Sequence, residues 1–296
     1  MIEKIKKLKV GKVIENPLMK KYTTYKVGGE ALAIVMPDDI KSLIKLMEFI
    51  NKNNIKYKIL GNGSNVIFKD ELYDGIIINL SKLDKFEVDG TVITVGAGYN
   101  LAKLAMKTAR LGLSGLEFAS GIPGTVGGAV YMNAGAYKSD MGYVVSEVKV
   151  LTPDLKIKTM YNKDMDFHYR TSFLKKNPEF ICLEAKIVLK KGNKDEILAL
   201  LEDRKQRRLI SQPLEYPSAG SVFRNPSNDF AGRLIEEIGY KGKNIGGAYV
   251  SEKHANFIIN KGDAKASDIK ELINEIQNKV KEKYDIELIL EQEIIE

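Results

Sequence analysis

The chain has 296 residues, 44% of them hydrophobic and 29% charged, with 46 Lys and Arg against 39 Asp and Glu for a net charge of +7. That length suits two domains with cores of their own, and the composition is that of a globular protein, not a disordered or fibrous one. No apolar run is long enough to cross a bilayer, the single cysteine excludes an internal disulfide framework, and two histidines with one cysteine argue against a metal site built from them.

The basic excess is front-loaded: residues 1–200 carry 31 Lys and Arg against 22 Asp and Glu, while 201–296 carry 15 against 17. No helix-turn-helix, zinc-finger or RNP-type pattern accompanies it, so an anionic small ligand is expected rather than nucleic acid. The opening MIEKIKKLKVGKVIE lacks the apolar stretch of a secretion signal, so a cytosolic protein with no membrane association is expected.

After Pro37, Asp38 and Asp39 can cap a helix through about residue 53, with Ile40, Leu43, Ile44, Met47 and Ile50 on one face. Short apolar or β-branched runs at 57–60, 75–80 and 91–97 read as strands, and 100–111 reads as a helix. Further strands are expected at 144–151, 157–160 and 180–189, the last with Cys182 as a buried small hydrophobe. The alternation up to about residue 190 describes one α+β unit, 195–210 a connecting helix, and residues from about 211 a second unit. That second unit holds an amphipathic helix through Ile269, Leu272, Ile273, Ile276 and Val280, opened by Ser267 or Asp268, and a final strand at 286–295.

Residues 121–137, GIPGTVGGAVYMNAGAY, hold five glycines and three alanines. Such a segment allows positive φ or the close approach of another group, and it fits a wall around a phosphate-bearing cofactor or a tight corner between packed strands. Its spacing is neither the dinucleotide-fold turn nor a P-loop. Gly61-Asn-Gly-Ser-Asn65 follows a predicted strand directly and is a second loop able to offer backbone N–H groups to a diphosphate. Gly96-Ala-Gly98 lies between a strand and a helix and reads as a plain turn, because Leu101 stands where a dinucleotide motif needs glycine. Ser221, in Tyr216-Pro-Ser-Ala-Gly-Ser-Val-Phe-Arg-Asn-Pro226, is not in a nucleophile elbow, since Phe223 replaces the final glycine, and it could equally cap a turn.

Seven motifs together are more specific. TTYKVGGEA at 23–31, GNGSNVIF at 61–68, the 121–137 segment, YRTSF at 169–173, PSAGSVFRNP at 217–226, GGAYVSEKHANFIIN at 246–260 and LEQEI at 290–294 occur in an order that resembles the UDP-N-acetylenolpyruvoylglucosamine reductases. The resemblance spans nearly the whole chain. It implies an α+β fold: a two-lobed FAD-binding domain of the vanillyl-alcohol-oxidase (PCMH) type at 1–192, divided near residue 80, the connecting helix at 193–210, and a C-terminal α+β substrate-binding domain at 211–296. The short distance from Tyr169 to the PSAGS motif resembles the shorter subtype, which lacks an extra substrate-covering loop.

The resemblance also implies FAD as bound cofactor, NADPH as cosubstrate, a UDP-sugar substrate, a monomeric cytosolic enzyme and no metal. Cofactor contacts would come from Gly61, Asn62, Gly63, Ser64 and Asn65, from Ser120, Gly121, Ile122, Pro123, Gly124, Gly127 and Gly128, and from Asn133, Gly135 and Ala136. Catalytic residues carried over by motif are Arg170, Ser221 and Glu293. Hydride passes from NADPH by way of FAD to the enolpyruvyl methylene and leaves negative charge on the adjoining carbon and its carboxylate. Arg170 would hold that carboxylate, Ser221 would deliver the proton, and Glu293 would act protonated or paired with a cation. Without the resemblance, Glu293 and Arg170 read as residues of ordinary surface ion pairs. Tyr169, Arg224 and Asn225 would contact substrate, with the basic residues Arg204, Lys205, Arg207 and Arg208 and the HAN segment at 254–256 as weaker candidates. The alternatives are an FAD oxidase or dehydrogenase of the same fold with another substrate, and a non-enzymatic nucleotide-sugar binding protein.

Overall fold

A computed structural model describes all residues from Met1 to Glu296. The chain divides into two compact units that interleave in sequence: Met1–Glu15, Ala33–Asn62 and Gly75–Gln206 form one, and Asn16–Leu32, Gly63–Asp74 and Arg207–Glu296 the other. The segments 16–32 and 63–74, which the sequence places in the N-terminal domain, therefore cluster with the C-terminal part. The physical reason is polar bookkeeping between distant residues. Asp70 accepts from the N–H groups of Ala266 (2.7 Å) and Ser267 (2.9 Å), and so caps the helix Ala266–Tyr284 together with Asp268, which accepts from Lys265 N–H (2.9 Å).

In the first unit, a four-stranded sheet runs in the order Gly11–Glu15, Ala31–Pro37, Tyr73–Asn79, Tyr57–Leu60, antiparallel at the first edge and parallel at the last. The helix Ile40–Lys52 starts as expected, with Asp39 accepting from Ser42 N–H at 2.7 Å, and buries Leu43, Leu46, Met47 and Ile50 against Ile76 and Ile78. A second, wholly antiparallel sheet has the order Ile157–Tyr161, Val145–Leu151, Ile181–Val188, Val92–Gly96, Phe86–Asp89. The helix Leu101–Arg110, capped by Asn100, and the helix Val126–Met132, capped by Thr125, add Leu101, Leu104, Val126 and Val130 to the same core. Cys182 is buried in its strand, as its sequence context predicts.

The second unit packs the helices Ala231–Glu237 and Ala266–Tyr284 with the antiparallel strands Asn244–Ile245, Ala248–Val250 and Ile258–Asn260 around Phe223, Leu234, Ile269, Ile273 and Ile276. The expected final strand at 286–295 shortens to Glu293–Ile295, which pairs in parallel with Val66–Phe68. Residues 289–291 are drawn aside to the loop at 222–224 instead: Arg224 N–H donates to Ile289 O (2.9 Å) and Glu291 N–H to Val222 O (2.8 Å). No helix is long and apolar enough to cross a membrane.

Candidate active site

Three glycine turns of the first unit meet. A side-chain carbon at Gly61 would lie 2.5 Å from Thr125 Oγ1, and one at Gly127 would lie 2.9 Å from Ala97 Cβ, so neither position can carry one without displacement. Asn62 Nδ2 donates to Pro123 O at 2.8 Å and ties the first loop to the second. Behind them, Gly127 N–H donates to Ala97 O (2.8 Å), Val126 N–H to Tyr99 O (2.9 Å) and Leu101 N–H to Gly124 O (2.9 Å). The turn at 96–100 is thus the strand-to-helix connection the sequence suggests, and it also backs the long glycine loop.

None of the glycines of 121–135 has positive φ, and Gly127 and Gly135 work by close approach, a Cβ at Gly135 falling 2.5 Å from Asp140 Cβ; the left-handed positions nearby are Asn133, Tyr137 and Lys138. The amides of Asn62, Gly63 and Ser64 donate to no backbone carbonyl. Successive N–H groups not spent on carbonyls fit the diphosphate of FAD, and in the first unit Ser120 has a hydroxyl that donates to Glu117 O (3.0 Å) while keeping its acceptor sites.

Asn133 ends the helix Val126–Met132 in left-handed conformation, φ 44°, and is only 2% exposed. Its Nδ2 donates to His168 O (2.9 Å) and its Oδ1 accepts from Gly142 N–H (2.9 Å), so its side chain serves the fold. What it holds is the tight turn in which His168 and Thr171 exchange both backbone hydrogen bonds at 3.1 Å. Tyr169 and Arg170 form the tip. Arg170 takes φ 55°, which non-glycine residues seldom adopt, donates from Nη2 to Gly135 O (2.9 Å) and lies 5.1 Å over the half-exposed Tyr169 ring. The glycine segment and the arginine turn therefore share a boundary at Gly135 and Ala136. Arg204 stacks 4.7 Å over Tyr137 in the same unit.

In the second unit, Ser221 follows Gly220, whose φ of 74° suits glycine, and its own hydroxyl bonds to no protein atom. A turn-capping role would need that bond. The loop is fixed from two sides instead. Asn256 accepts from Phe223 N–H (3.0 Å) and donates to Phe223 O (2.8 Å). Gln292, 3% exposed, donates from Nε2 to Ala219 O (3.1 Å) and Gly220 O (3.2 Å), the two carbonyls before the serine. Glu293 comes next in sequence, and its N–H donates to Asn65 O at 2.9 Å. Ser221, Glu293 and Asn65 are thereby held in one hydrogen-bonded framework. Tyr25, fully buried in the same core, has its phenol pushed up by burial, with the Gln292 side chain pulling weakly the other way.

Arg224 carries a buried Nε without an acceptor, a donor suited to an anionic ligand. Asn225 spends its Oδ1 on Ala231 N–H (3.1 Å), capping the helix Ala231–Glu237, and is otherwise exposed. His254 accepts from Asn256 N–H at Nδ1 (3.2 Å) and packs on Phe257, so burial holds its imidazole pKa down. Gln292 and Thr125 lie inside motifs visible in the sequence but have no role assigned there, and Asn256 is read there only as part of the weaker HAN substrate candidate. For Asn256, a polar residue between the apolar Ala255 and Phe257 is the available signal, whereas Gln292, between Glu291 and Glu293, offers none.

The comparisons with known proteins agree with this layout. Residues 212–295 match the family model described as UDP-N-acetylenolpyruvoylglucosamine reductase, C-terminal domain, and residues 31–161 match an FAD binding domain. A UDP-N-acetylenolpyruvoylglucosamine reductase from Bacillus licheniformis is 47% identical, the match covering 100% of this chain and 98% of that one. One from Bacillus subtilis is 44% identical at the same coverage. The crystal structure of UDP-N-acetylenolpyruvylglucosamine reductase (MurB) from Thermus caldophilus superposes with a TM-score of 0.82 at 36% identity, covering 96% of this chain and 98% of that one. The expected α+β fold, with an FAD-binding domain followed by a reductase C-terminal domain, holds, and the protein is an FAD-dependent oxidoreductase. The chain belongs to the UDP-N-acetylenolpyruvoylglucosamine reductase family.

Proposed function

We propose that this is a monomeric cytosolic enzyme that reduces UDP-N-acetylenolpyruvoylglucosamine to UDP-N-acetylmuramate with NADPH, in the synthesis of peptidoglycan precursors. FAD held at this site would supply hydride transfer between the nicotinamide and the enolpyruvyl methylene. The residues that hold it are Gly61–Asn65, Ser120–Gly124, Gly127, Gly128, Gly135 and Ala136, largely through backbone, with Asn133 as the support beneath them.

Arg170 grips the substrate carboxylate, and its left-handed backbone and its bond to Gly135 O hold the guanidinium in place before substrate arrives. Hydride addition makes the adjoining carbon basic, and that carbon takes the proton of Ser221 Oγ. A serine hydroxyl is a weak acid, so the step needs a strongly basic partner and a source that restores the proton. Glu293, which follows Gln292 in sequence, serves as that source, and in protonated form it avoids repelling the developing anion. Tyr169, Arg224 and Asn225 contact the remainder of the substrate, Arg224 through its unpaired Nε.

The observation that carries this reading is the free hydroxyl of Ser221 in a loop held from two sides by Asn256 and Gln292. Its test is Ser221→Ala in the two half-reactions measured apart. Flavin reduction by NADPH should proceed at close to the wild-type rate, while reoxidation by the enolpyruvyl substrate should slow by at least about a hundredfold, the usual range for removing a general acid. Equal slowing of both steps would refute the acid role.

A further inference from the structure

Tyr25 lies in TTYKVGGEA, a motif that contributes no residue to the cofactor, catalytic or substrate contacts. Its side chain is fully buried in the core of the second unit. A phenylalanine ring would fill the same space, and the extra hydroxyl costs stability in a core unless it finds a partner there. The group that meets it is the side chain of Gln292. Tyr25 Oη and Gln292 Oε1 are both buried, and neither bonds to any other group of the protein. The hydroxyl can donate and the amide oxygen can only accept, so each is the partner the other needs.

The backbone beneath Tyr25 is fixed. Thr24 N–H donates to Gly63 O (3.0 Å), and the buried Thr23 Oγ1 donates to Val27 O (3.0 Å) and closes the turn. Asn260, 4% exposed, donates from Nδ2 to Tyr25 O (3.1 Å) and from its own N–H to Pro217 O (2.9 Å), at the start of the serine loop. Gln292 holds the same loop at Ala219 O and Gly220 O, immediately before Ser221. Tyr25 therefore stands behind both supports, meeting one through its carbonyl and the other through its hydroxyl.

The last torsion of a glutamine is broad, so an amide held only through its nitrogen can turn about it. A donor at Oε1 fixes the amide plane, and with it the direction of the N–H groups that hold the two carbonyls before the serine. We infer that Tyr25 is a positioning residue for the proton-delivery step: its hydroxyl orients the Gln292 amide, which holds the loop that aims Ser221. The inference rests on the proposed acid role of Ser221. Tyr25 acts through Gln292 alone, which sets this role apart from that of a residue that only fills the core.

Tyr25→Phe keeps the ring and removes only the hydroxyl. In anaerobic stopped flow with the FAD holoenzyme, reoxidation by the enolpyruvyl substrate should slow on the order of tenfold, less than a full 1 Å displacement of a reacting group costs, while flavin reduction by NADPH keeps its rate. In the Gln292→Leu background the same substitution should change reoxidation by less than about twofold, because the hydroxyl then has no amide to orient. Hydrogen exchange of residues 217–223 should quicken in Tyr25→Phe, and that of residues 121–137 should not. Reoxidation at the wild-type rate, equal slowing of both half-reactions, equal losses in the wild-type and Gln292→Leu backgrounds, or unchanged exchange at 217–223 would overturn the inference. If Ser221→Ala slows both half-reactions equally, the acid role fails instead, and the exchange measurement still decides whether Tyr25 holds the loop.

Discussion

Gln292→Leu removes the one side chain that joins the serine loop to the segment carrying Glu293. Two hydrogen bonds disappear, to Ala219 O and Gly220 O, each worth about 1 kcal/mol net, and the buried Ala219 carbonyl is left without its donor at a further cost of about 1–2 kcal/mol. The sum is about 3–4 kcal/mol, offset in part by the added burial of leucine carbon. With a urea slope of about 2–3 kcal/mol/M, the unfolding midpoint should fall by on the order of 1 M. Function should suffer unevenly. A displacement of Ser221 by about 1 Å costs on the order of a hundredfold in a positioned reaction, so reoxidation by substrate should slow strongly while flavin reduction continues. Gln292→Glu supplies the control: only its neutral form can donate to a carbonyl, so its loss of stability should be smaller at pH 5 than at pH 8. A Gln292→Leu enzyme with a wild-type urea midpoint and wild-type reoxidation would refute the positioning argument.

Gly127→Val should purify with less flavin, and its affinity for FAD should drop at least about tenfold in a fluorescence titration, because a branched side chain cannot fit where even Cβ stands 2.9 Å from Ala97 Cβ. Gly61→Val should behave alike through Thr125. Burial holds the His254 imidazole below its usual pKa, so the unfolded chain binds a proton that the folded chain resists. Stability should therefore fall as pH drops through the unfolded value of about 6.5, and His254→Asn should flatten that part of the melting-temperature profile. Burial, with Glu184 nearby, pushes the Cys182 thiol up to about 12, so it should ignore a disulfide reagent at pH 8 in native protein and react fully once unfolded.

The elements that could be read from sequence are those stabilised locally. The helices Ile40–Lys52 and Leu101–Arg110 have a cap at one end and an apolar face of period 3.6, and both were visible in full. The interleaved units were not, because what assigns residues 16–32 and 63–74 is pairing over great sequence distance: Asn260 with Tyr25, Asp70 with Ala266, Val66 with Glu293. The last strand was overextended for a similar reason, since residues 289–291 find their partners in an irregular loop and not in a sheet. At the site, glycine loops announce themselves by composition. Polar side chains do not, since Asn133, Asn225 and Asn256 are chemically able to contact ligand or protein, and only the fold reveals that each already holds a backbone group.

The central claim is tested most directly by one anaerobic turnover of the FAD holoenzyme. One equivalent of NADPH should bleach the flavin, and addition of UDP-N-acetylenolpyruvoylglucosamine should restore its colour with one equivalent of UDP-N-acetylmuramate formed. Flavin that stays reduced with that substrate and recovers its colour only on admission of oxygen would contradict the account.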